Sequence, residues 1–178
     1  MPVLFDAGFV GLLLHPDARI PDDPESGLPV HRAKDRVERL VSELEEDGVR
    51  VLIPAPVIAE FLVLAKDSGP EYLAILNQSA RFEIVPFDLR AAVEMAAATL
   101  LAVSSGDKRS GLAATPWQKI KIDRQIVAIA KTRGVNVIYS NDSDVTKLGR
   151  DCRLDVRHVA TLPMPDDANP LFAVLDEN

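Results

Sequence analysis

Short apolar runs alternate with longer helix-forming segments along this chain, and that alternation constrains the fold more than any other feature. Strands are predicted from the apolar runs at residues 3–5, 49–53, 83–85, 135–139 and 156–159. Helices are predicted at residues 33–47, 57–66, 90–103 and 122–133, and the first strand also leads through a turn into a helix. Strands that alternate with helices favour a parallel sheet covered on both faces. We therefore expect an α/β fold.

Two segments interrupt the alternation and are predicted to be insertions. Residues 15–31 contain four prolines and no helical periodicity, which is typical of a loop. A second insertion is predicted near residues 104–119, where residues 104–116 have the composition of a loop. The 178 residues suffice for one domain. We assign a single domain to residues 1–162 and an irregular tail to residues 163–178.

The composition excludes several classes of protein. The chain has one cysteine, Cys152, which excludes an internal disulfide framework and a zinc site built from several cysteines. No apolar stretch approaches the ~18 residues of a transmembrane helix, so no membrane partner is expected. The first residues lack the basic region of a signal peptide. We expect a cytoplasmic protein.

The net charge of −7 is unevenly distributed along the chain. Residues 104–157 carry 6 acidic and 11 basic side chains, whereas the rest of the chain is acidic. A basic segment inside an acidic protein is compatible with a local surface for a polyanion. The alternative, a basic face that is simply solvated, explains the charges equally well.

Four carboxylates occupy positions that point to a metal site. Asp6 follows the first strand directly, Glu60 lies in the first turns of the helix after the second strand, Asp123 begins the helix at 122–133, and Asp142 follows the fourth strand. Ligands of open parallel sheets bind beyond the carboxyl ends of the strands. Clustered carboxylates repel one another unless a cation neutralises them. Oxygen ligands select Mg²⁺ or Mn²⁺ over zinc.

Each of these acids alone also has a purely structural explanation. Asp123 is well placed to complement a helix dipole, and Asp6 or Asp142 to cap a turn. Glu60 is different, because its neighbours on the helix are nearly all apolar and a charged group there needs a partner or a metal. The four together favour a metal site.

The four segments that carry these acids resemble the PIN-domain family of metal-dependent ribonucleases, which includes the VapC-like toxins. The matching segments are residues 4–10 (LFDAGFV), 53–60 (IPAPVIAE), 122–130 (IDRQIVAIA) and 137–144 (VIYSNDSD). The chain departs from the family pattern in its two insertions, in its Pro-rich tail, and at Val145, where an aromatic residue is common. Any one motif is weak, but four in this order are fairly specific.

The resemblance implies a three-layer α/β/α sandwich with a central, mainly parallel sheet. It assigns Asp6, Glu60, Asp123 and Asp142 to a catalytic pocket that binds Mg²⁺ or Mn²⁺. Asp144 is implied as an auxiliary metal ligand, with Ser140 and Asn141 as polar support. The implied substrate is RNA, and the candidate protein partners are an antitoxin and a second copy of the chain.

The basic segment supplies the candidate contacts to RNA. An acidic pocket repels phosphate except at its metal, so cations around its rim must contribute most of the binding. Lys119, Lys121 and Arg124 surround Asp123 and are the predicted substrate-binding residues, and Lys108 and Arg109 precede them. Alternatively, these side chains keep a helix soluble or bind an acidic partner.

Other reactive residue types are interpreted as structural. The three scattered histidines are expected at the surface or in packing, Cys152 as an ordinary thiol, and Trp117 as a core residue rather than a platform for stacking on a base. The histidines are His15, His31 and His158.

The residues and the resemblance together suggest two functions and exclude a third. The first is a metal-dependent endoribonuclease, the toxin of a toxin–antitoxin pair being the leading role. The alternative is a catalytically weak PIN-like module that binds RNA or protein. A phosphatase of the haloacid dehalogenase type is excluded, because it needs a second aspartate two residues after the first, and Gly8 stands there.

Overall fold

Five parallel strands form the centre of this protein in a computed structural model, which describes residues 1–165. The strands are β1 (Val3–Phe5), β2 (Val51–Pro54), β3 (Phe82–Val85), β4 (Val137–Tyr139) and β5 (Asp155–Arg157), in the spatial order β3-β2-β1-β4-β5. Every neighbouring pair is parallel. The predicted parallel α/β fold is confirmed.

Seven helices flank the sheet in the described part of the chain. They are α1 (Ala7–Leu14), α2 (Ala33–Glu46), α3 (Ala55–Ala65), α4 (Gly69–Gln78), α5 (Leu89–Ser104), α6 (Trp117–Thr132) and α7 (Ser143–Asp151). Two short 3₁₀ turns cover Lys66–Ser68 and Val159–Thr161. Within residues 1–165 there is no helix with the length and apolar character needed to cross a membrane.

The strand order places a crevice beside β1. From β1 the chain builds outward through β2 to the edge strand β3, then returns to the other side of β1 to form β4 and β5. At such a reversal the connections leave the sheet on opposite sides, and the crevice beyond the carboxyl ends of the strands is the usual ligand site. Here that crevice lies between the ends of β1 and β4.

The core beneath this crevice is dry and aromatic. Leu4 and Phe5 of β1 are fully buried, as expected for a strand covered on both faces. Phe5 pairs with Tyr139 of β4, and the rings of Phe5, Phe9 and Tyr139 lie 5.4 to 5.6 Å apart between centroids. This packing fixes the ends of β1 and β4 relative to each other.

Some elements differ from the sequence-based expectation. Helix α6 begins at Trp117 rather than at residue 122, and helices α4 and α7 were not expected. Helix α4 begins with Gly69 and Pro70, a pair typical of loops, because proline is also compatible with the first turn of a helix. Helix α7 has only nine residues and buries Val145, Leu148 and Gly149, which is too short a pattern to recognise.

The remaining differences concern the loops and the end of the chain. The fifth strand is Asp155–Arg157, and residues 159–161 form a 3₁₀ turn instead of continuing it. The predicted loop at 15–31 is confirmed, with an isolated bridge between Asp22 and Pro29. Residues 163–165 have no regular structure, and the rest of the predicted tail, residues 166–178, lies outside the described residues.

Candidate active site

The four predicted acids line one cavity at the crevice between β1 and β4. This cavity, which we call the acid pocket, has a volume of about 260 Å³. Its lining consists of Asp6, Ala7, Gly8, Glu60, Asp123, Ile126, Asn141, Asp142 and Val145. The fold therefore brings together carboxylates that are separated in the sequence by 54, 63 and 19 residues.

Asp6 is held rigidly at the floor of the acid pocket. Its backbone N–H donates to the carbonyl oxygen of Tyr139 at 3.1 Å, which extends the pairing of β1 with β4. As the N-cap of α1, its Oδ1 accepts from the N–H of Phe9 at 3.0 Å. Its Oδ2 accepts a hydrogen bond from the Ser140 hydroxyl. Both carboxylate oxygens are thus oriented, one by helix α1 and the other by the segment that follows β4.

Burial makes the charge on Asp6 costly. The residue is 6% exposed, and this burial raises its pKa to about 6, against the hydrogen bonds from Ser140 and Phe9, which lower it. Repulsion from Asp142 and Glu60 raises the pKa further. A carboxylate under such strain is stabilised by any cation that binds next to it.

The segment after β4 links the acids to one another. The Ser140 hydroxyl, which donates to Asp6, also accepts from the N–H of Asp142 at 3.0 Å. Asp142 caps α7, with its Oδ1 accepting from the N–H of Asp144 at 2.7 Å. Asn141 accepts from the N–H of Val159 at 3.1 Å. Ser140 and Asn141 thus make the hydrogen bonds that hold the segment after β4 beside Asp6.

Gly8 leaves room for the close approach of this segment. A Cβ atom there would lie 3.3 Å from Nδ2 of Asn141 and 3.4 Å from Oδ1 of Asp6. Any side chain at this position would press on the wall of the acid pocket. The glycine in the first motif therefore has a steric reason.

Asp123 and Lys119 form a second group on α6. Lys119 lies one turn before Asp123, and its Nζ is 2.9 Å from Oδ2 of Asp123. The same Nζ lies 2.8 Å from Oδ2 of Asp142 and 2.8 Å from Oδ2 of Asp144. Asp144 also accepts a hydrogen bond from the Thr115 hydroxyl at 3.0 Å. One ammonium group thus bridges three carboxylates.

The pKa shifts in this group follow from burial and charge. Burial raises the pKa of Asp123 to about 6; the hydrogen bond from Lys119 opposes this shift, and repulsion from Asp142 and Asp144 adds to it. Burial lowers the pKa of Lys119, but hydrogen bonds to Asp142, Asp144 and Asp123 outweigh that effect, and the net pKa is raised. Lys119 is therefore charged at neutral pH.

The donors of the acid pocket fit Mg²⁺ or Mn²⁺ in chemistry, because all are carboxylate oxygens. Within residues 1–165, however, no three His, Cys, Asp or Glu side chains are grouped closely enough to hold one metal ion as they stand. The acids are not arranged around a metal position because Asp123, Asp142 and Asp144 instead contact the ammonium of Lys119. The acids converge, but part of the set is arranged around an internal cation.

Glu60 differs from the other three acids in its exposure. It lies in the second turn of α3 and is exposed to solvent, while its charge still contributes to the raised pKa of Asp6. The apolar residues Val57, Ile58 and Phe61 of the same helix are buried. The solvent therefore satisfies the charge that the sequence suggested would need a partner.

The structure corrects the placement of two predicted substrate-binding residues. Arg124 was expected at the rim but is 5% exposed, and its guanidinium donates to the carbonyl oxygen of Lys108 at 2.7 Å and to hydroxyls of Ser110 and Thr99 at 3.1 Å. It ties the loop before α6 to helices α5 and α6 instead of extending from the surface. Lys119 lies among the acids rather than around them.

Lys121 is half-buried on α6. It lies two residues from both Lys119 and Asp123, so it leaves the helix on a different face from theirs, and its contact with RNA stays a prediction. Arg109 of the preceding loop donates to the carbonyl oxygens of Ala113 and Thr115, so it braces that loop.

The residues interpreted as structural behave accordingly. Trp117 is half-buried against the core, with Lys108 Nζ 4.3 Å and the Arg124 guanidinium carbon 5.5 Å from its ring centroid. Burial raises the pKa of the Cys152 thiol, so this thiol is not activated. None of the residues that line the acid pocket is a histidine.

Sequence reasoning missed the roles of Thr115 and Lys119 in holding Asp144. A helix start at residue 117 would have placed Lys119 and Asp123 on one face, since side chains at i and i+4 are neighbours. The sequence carries no comparable signal for Thr115, because its partner lies 29 residues away.

Comparison with known proteins gives a family and a fold. The family model described as the PIN domain matches residues 28–151, which include Glu60, Asp123 and Asp142. No curated protein matches the chain.

Several solved structures share the fold at 14% sequence identity. VapBC2 from Rickettsia felis, bound to a DNA fragment from its promoter, superposes with a TM-score of 0.57 over 89% of this chain and 98% of that chain. DNA-bound VapBC from Salmonella typhimurium gives 0.54 over 89% and 98%. VapC20 of Mycobacterium tuberculosis, a toxin that cleaves the sarcin-ricin loop, gives 0.54 over 83% and 95%.

Proposed function

Because this chain belongs to the PIN-domain family, we propose that it is a metal-dependent endoribonuclease that hydrolyses RNA phosphodiester bonds. One observation carries the proposal: four carboxylates from distant parts of the chain line a single pocket at the reversal of the strand order. Burial raises the pKa of two of them, Asp6 and Asp123, to about 6. Perturbed carboxyls in a cleft are typical of functional sites.

Asp6, Glu60, Asp123 and Asp142 are the residues that would hold Mg²⁺ or Mn²⁺, with Asp144 as an auxiliary acid. A bound divalent ion supplies activation of water and neutralisation of charge on the attacked phosphodiester. Ser140 fixes Asp6 relative to Asp142 through its two hydrogen bonds. Lys119 offsets part of the negative charge of Asp123, Asp142 and Asp144. Phe5, Phe9 and Tyr139, packed next to Asp6, are buried from solvent.

RNA cleavage tests this proposal directly. Single-stranded RNA should be cut in the presence of Mg²⁺ or Mn²⁺ and spared in EDTA, and Asp123→Asn should abolish cutting. Asp17→Asn is the matched control, since Asp17 is an exposed aspartate outside the acid pocket. The rate should remain near that of the parent when all three histidines are changed to alanine. A large loss on changing a histidine, with the fold intact, would contradict the mechanism.

The path of the RNA is tested by salt dependence. If Lys121 contacts a phosphate, Lys121→Ala should weaken RNA binding and reduce the magnitude of the single-strand salt slope by roughly 0.7. Glu94→Gln, on α5 and paired with Lys131, provides a charge-changing control. An unchanged slope for Lys121→Ala would place the RNA elsewhere.

The proposed biological role is that of a toxin paired with an antitoxin. The fold is shared with VapC20, described as a toxin, and with VapBC assemblies bound to DNA. Helix α5 also exposes large apolar side chains, among them Leu89, Leu100 and Leu101, and such a surface favours a protein partner. A small antitoxin gene adjacent to the gene for this chain, whose product binds and inhibits it, would establish the role.

A second copy of the chain, bound through the exposed apolar side chains of α5, is the other candidate partner. Light scattering of the isolated chain distinguishes them: a dimer in solution favours self-association through α5, and a monomer favours the antitoxin.

A catalytically weak binding module remains the second candidate function. The observation in its favour is that an ammonium group already contacts three of the acids and offsets part of their negative charge. RNA binding without metal-dependent cleavage would support this module instead of the nuclease.

A further inference from the structure

The ammonium of Lys119 lies in contact with three carboxylates. Its Nζ lies 2.9 Å from Asp123, 2.8 Å from Asp142 and 2.8 Å from Asp144. Two of these contacts, to Asp123 and Asp144, are hydrogen bonds donated by the ammonium, and Asp142 forms an ion pair with it. The side chain is still 40% exposed, but its one positive charge is surrounded by three carboxylates, as a bound cation would be.

The acids of the site are divided between two ends. Asp6 and Glu60 lie at one end, and both line the acid pocket. Asp144, Lys119 and Thr115 lie at the other end, outside the lining of that cavity in the described residues. The charge of Glu60 acts on Asp6, whereas the charge of Asp144 acts on Asp123. Asp123 and Asp142 line the acid pocket and also contact Lys119, so they stand between the two ends.

At the second of these ends, contacts from the loop before α6 and from the start of α7 position Asp144 next to Lys119. The Thr115 hydroxyl donates to Oδ2 of Asp144 at 3.0 Å, and Arg109 donates to the carbonyl oxygen of Thr115. The backbone N–H of Asp144 donates to Asp142 at 2.7 Å. These contacts hold the Asp144 carboxylate toward Lys119.

Two-metal hydrolytic sites place their ions ≈ 3.5–4 Å apart, with carboxylates shared between them. Here the carboxylates that a second ion would share are already bound by Lys119. We propose that Lys119 takes the place of a second cation at the Asp144 end, so that this protein binds a single divalent ion, in the acid pocket at the Asp6 end. The inference rests on the proposed metal site and specifies its stoichiometry. Asp144 then acts as a ligand of Lys119 and not of the metal.

Binding of Mn²⁺ to the full chain, measured by isothermal titration calorimetry, tests the inference without reference to activity. The parent should bind one ion per chain. Lys119→Met removes the internal cation and frees three carboxylates, so this variant should bind two ions per chain. Lys119→Arg keeps the positive charge and should bind one. Lys121→Met is the matched control, because it removes a neighbouring lysine of the same helix, and should also bind one.

Thermal unfolding provides a second measurement in case Lys119→Met folds poorly without metal. Three carboxylates left without their cation should lower the melting temperature in EDTA, and Mn²⁺ should raise it by more than it raises that of the parent. Lys119→Gln serves as a second variant and should behave in the same way.

The outcomes separate the inference from the proposed function. One ion in the parent and two in Lys119→Met support the inference. Two ions in the parent, or one ion in both Lys119→Met and Lys119→Gln, would overturn it while leaving the nuclease proposal intact. No ion in the parent and none in the variants, together with no metal-dependent cleavage, would overturn both.

Discussion

The strain on the Asp6 carboxylate predicts that Asp6→Asn makes the metal-free protein more stable at neutral and alkaline pH. Burial raises the pKa of Asp6 from 3.8 to about 6, and this shift corresponds to about 3 kcal/mol of unfavourable free energy once the group is ionised. Asparagine removes the charge and is itself a good N-cap. Its side-chain oxygen can accept from the N–H of Phe9 as Asp6 does.

One hydrogen bond limits the gain. The Ser140 hydroxyl donates to Asp6 and accepts from Asp142. The amide nitrogen of asparagine offers it no acceptor, which costs about 1 kcal/mol. The expected net gain is therefore about 2 kcal/mol, or roughly 4–8 °C in melting temperature for a chain of this size.

The pH dependence follows from the direction of the shift. The folded protein binds this proton more tightly than the unfolded chain, so the parent loses stability as the pH rises from 3.8 to about 6. Above pH 6 the full cost applies, and the advantage of Asp6→Asn is largest. At pH 4 the Asp6 carboxyl is protonated in the folded parent, and the advantage should disappear.

Urea denaturation followed by circular dichroism, in EDTA at pH 8 and at pH 4, measures both effects. Asp17→Asn is the control for the same change of charge at an exposed position and should leave the stability unchanged. With Mn²⁺ at a hundredfold excess over its Kd the parent should gain about 2.7 kcal/mol, and Asp6→Asn much less. The reasoning would be refuted if Asp6→Asn were less stable than the parent by the same amount at both pH values.

Three further predictions concern the supports of the site. Phe9 is fully buried against Phe5, so Phe9→Ala should lower the free energy of unfolding by about 3–5 kcal/mol in urea denaturation; a loss below 1 kcal/mol would contradict this packing. Thr115→Val removes the hydrogen bond to Asp144 and should cost about 1–2 kcal/mol in the same assay, whereas equal stability would show that the bond contributes nothing. Arg124→Met should lower the melting temperature, because Arg124 is buried. It should leave the salt slope of RNA binding unchanged, and a flatter slope would show that Arg124 contacts RNA.

The sequence alone determined the sheet and the positions of the acids along it. Short runs of buried apolar residues are readable because strands covered on both faces admit few polar side chains. Once the strands were located, Asp6 and Asp142 followed as residues beyond the carboxyl ends of β1 and β4, which are neighbours in the sheet. The ordered set of four motifs added the family, and the family model confirms it.

The tertiary structure decided which charges meet. Helix α6 begins five residues before the expected start, and this places Lys119 one turn from Asp123, in contact with it. Thr115 reaches Asp144 across 29 residues, and Arg124 is drawn inward by a loop carbonyl and two hydroxyls. Periodicity reports whether a position faces the core, but the partner of a charged side chain depends on how separate elements pack. That packing is a long-range property, because it arises from the whole core and not from neighbouring residues.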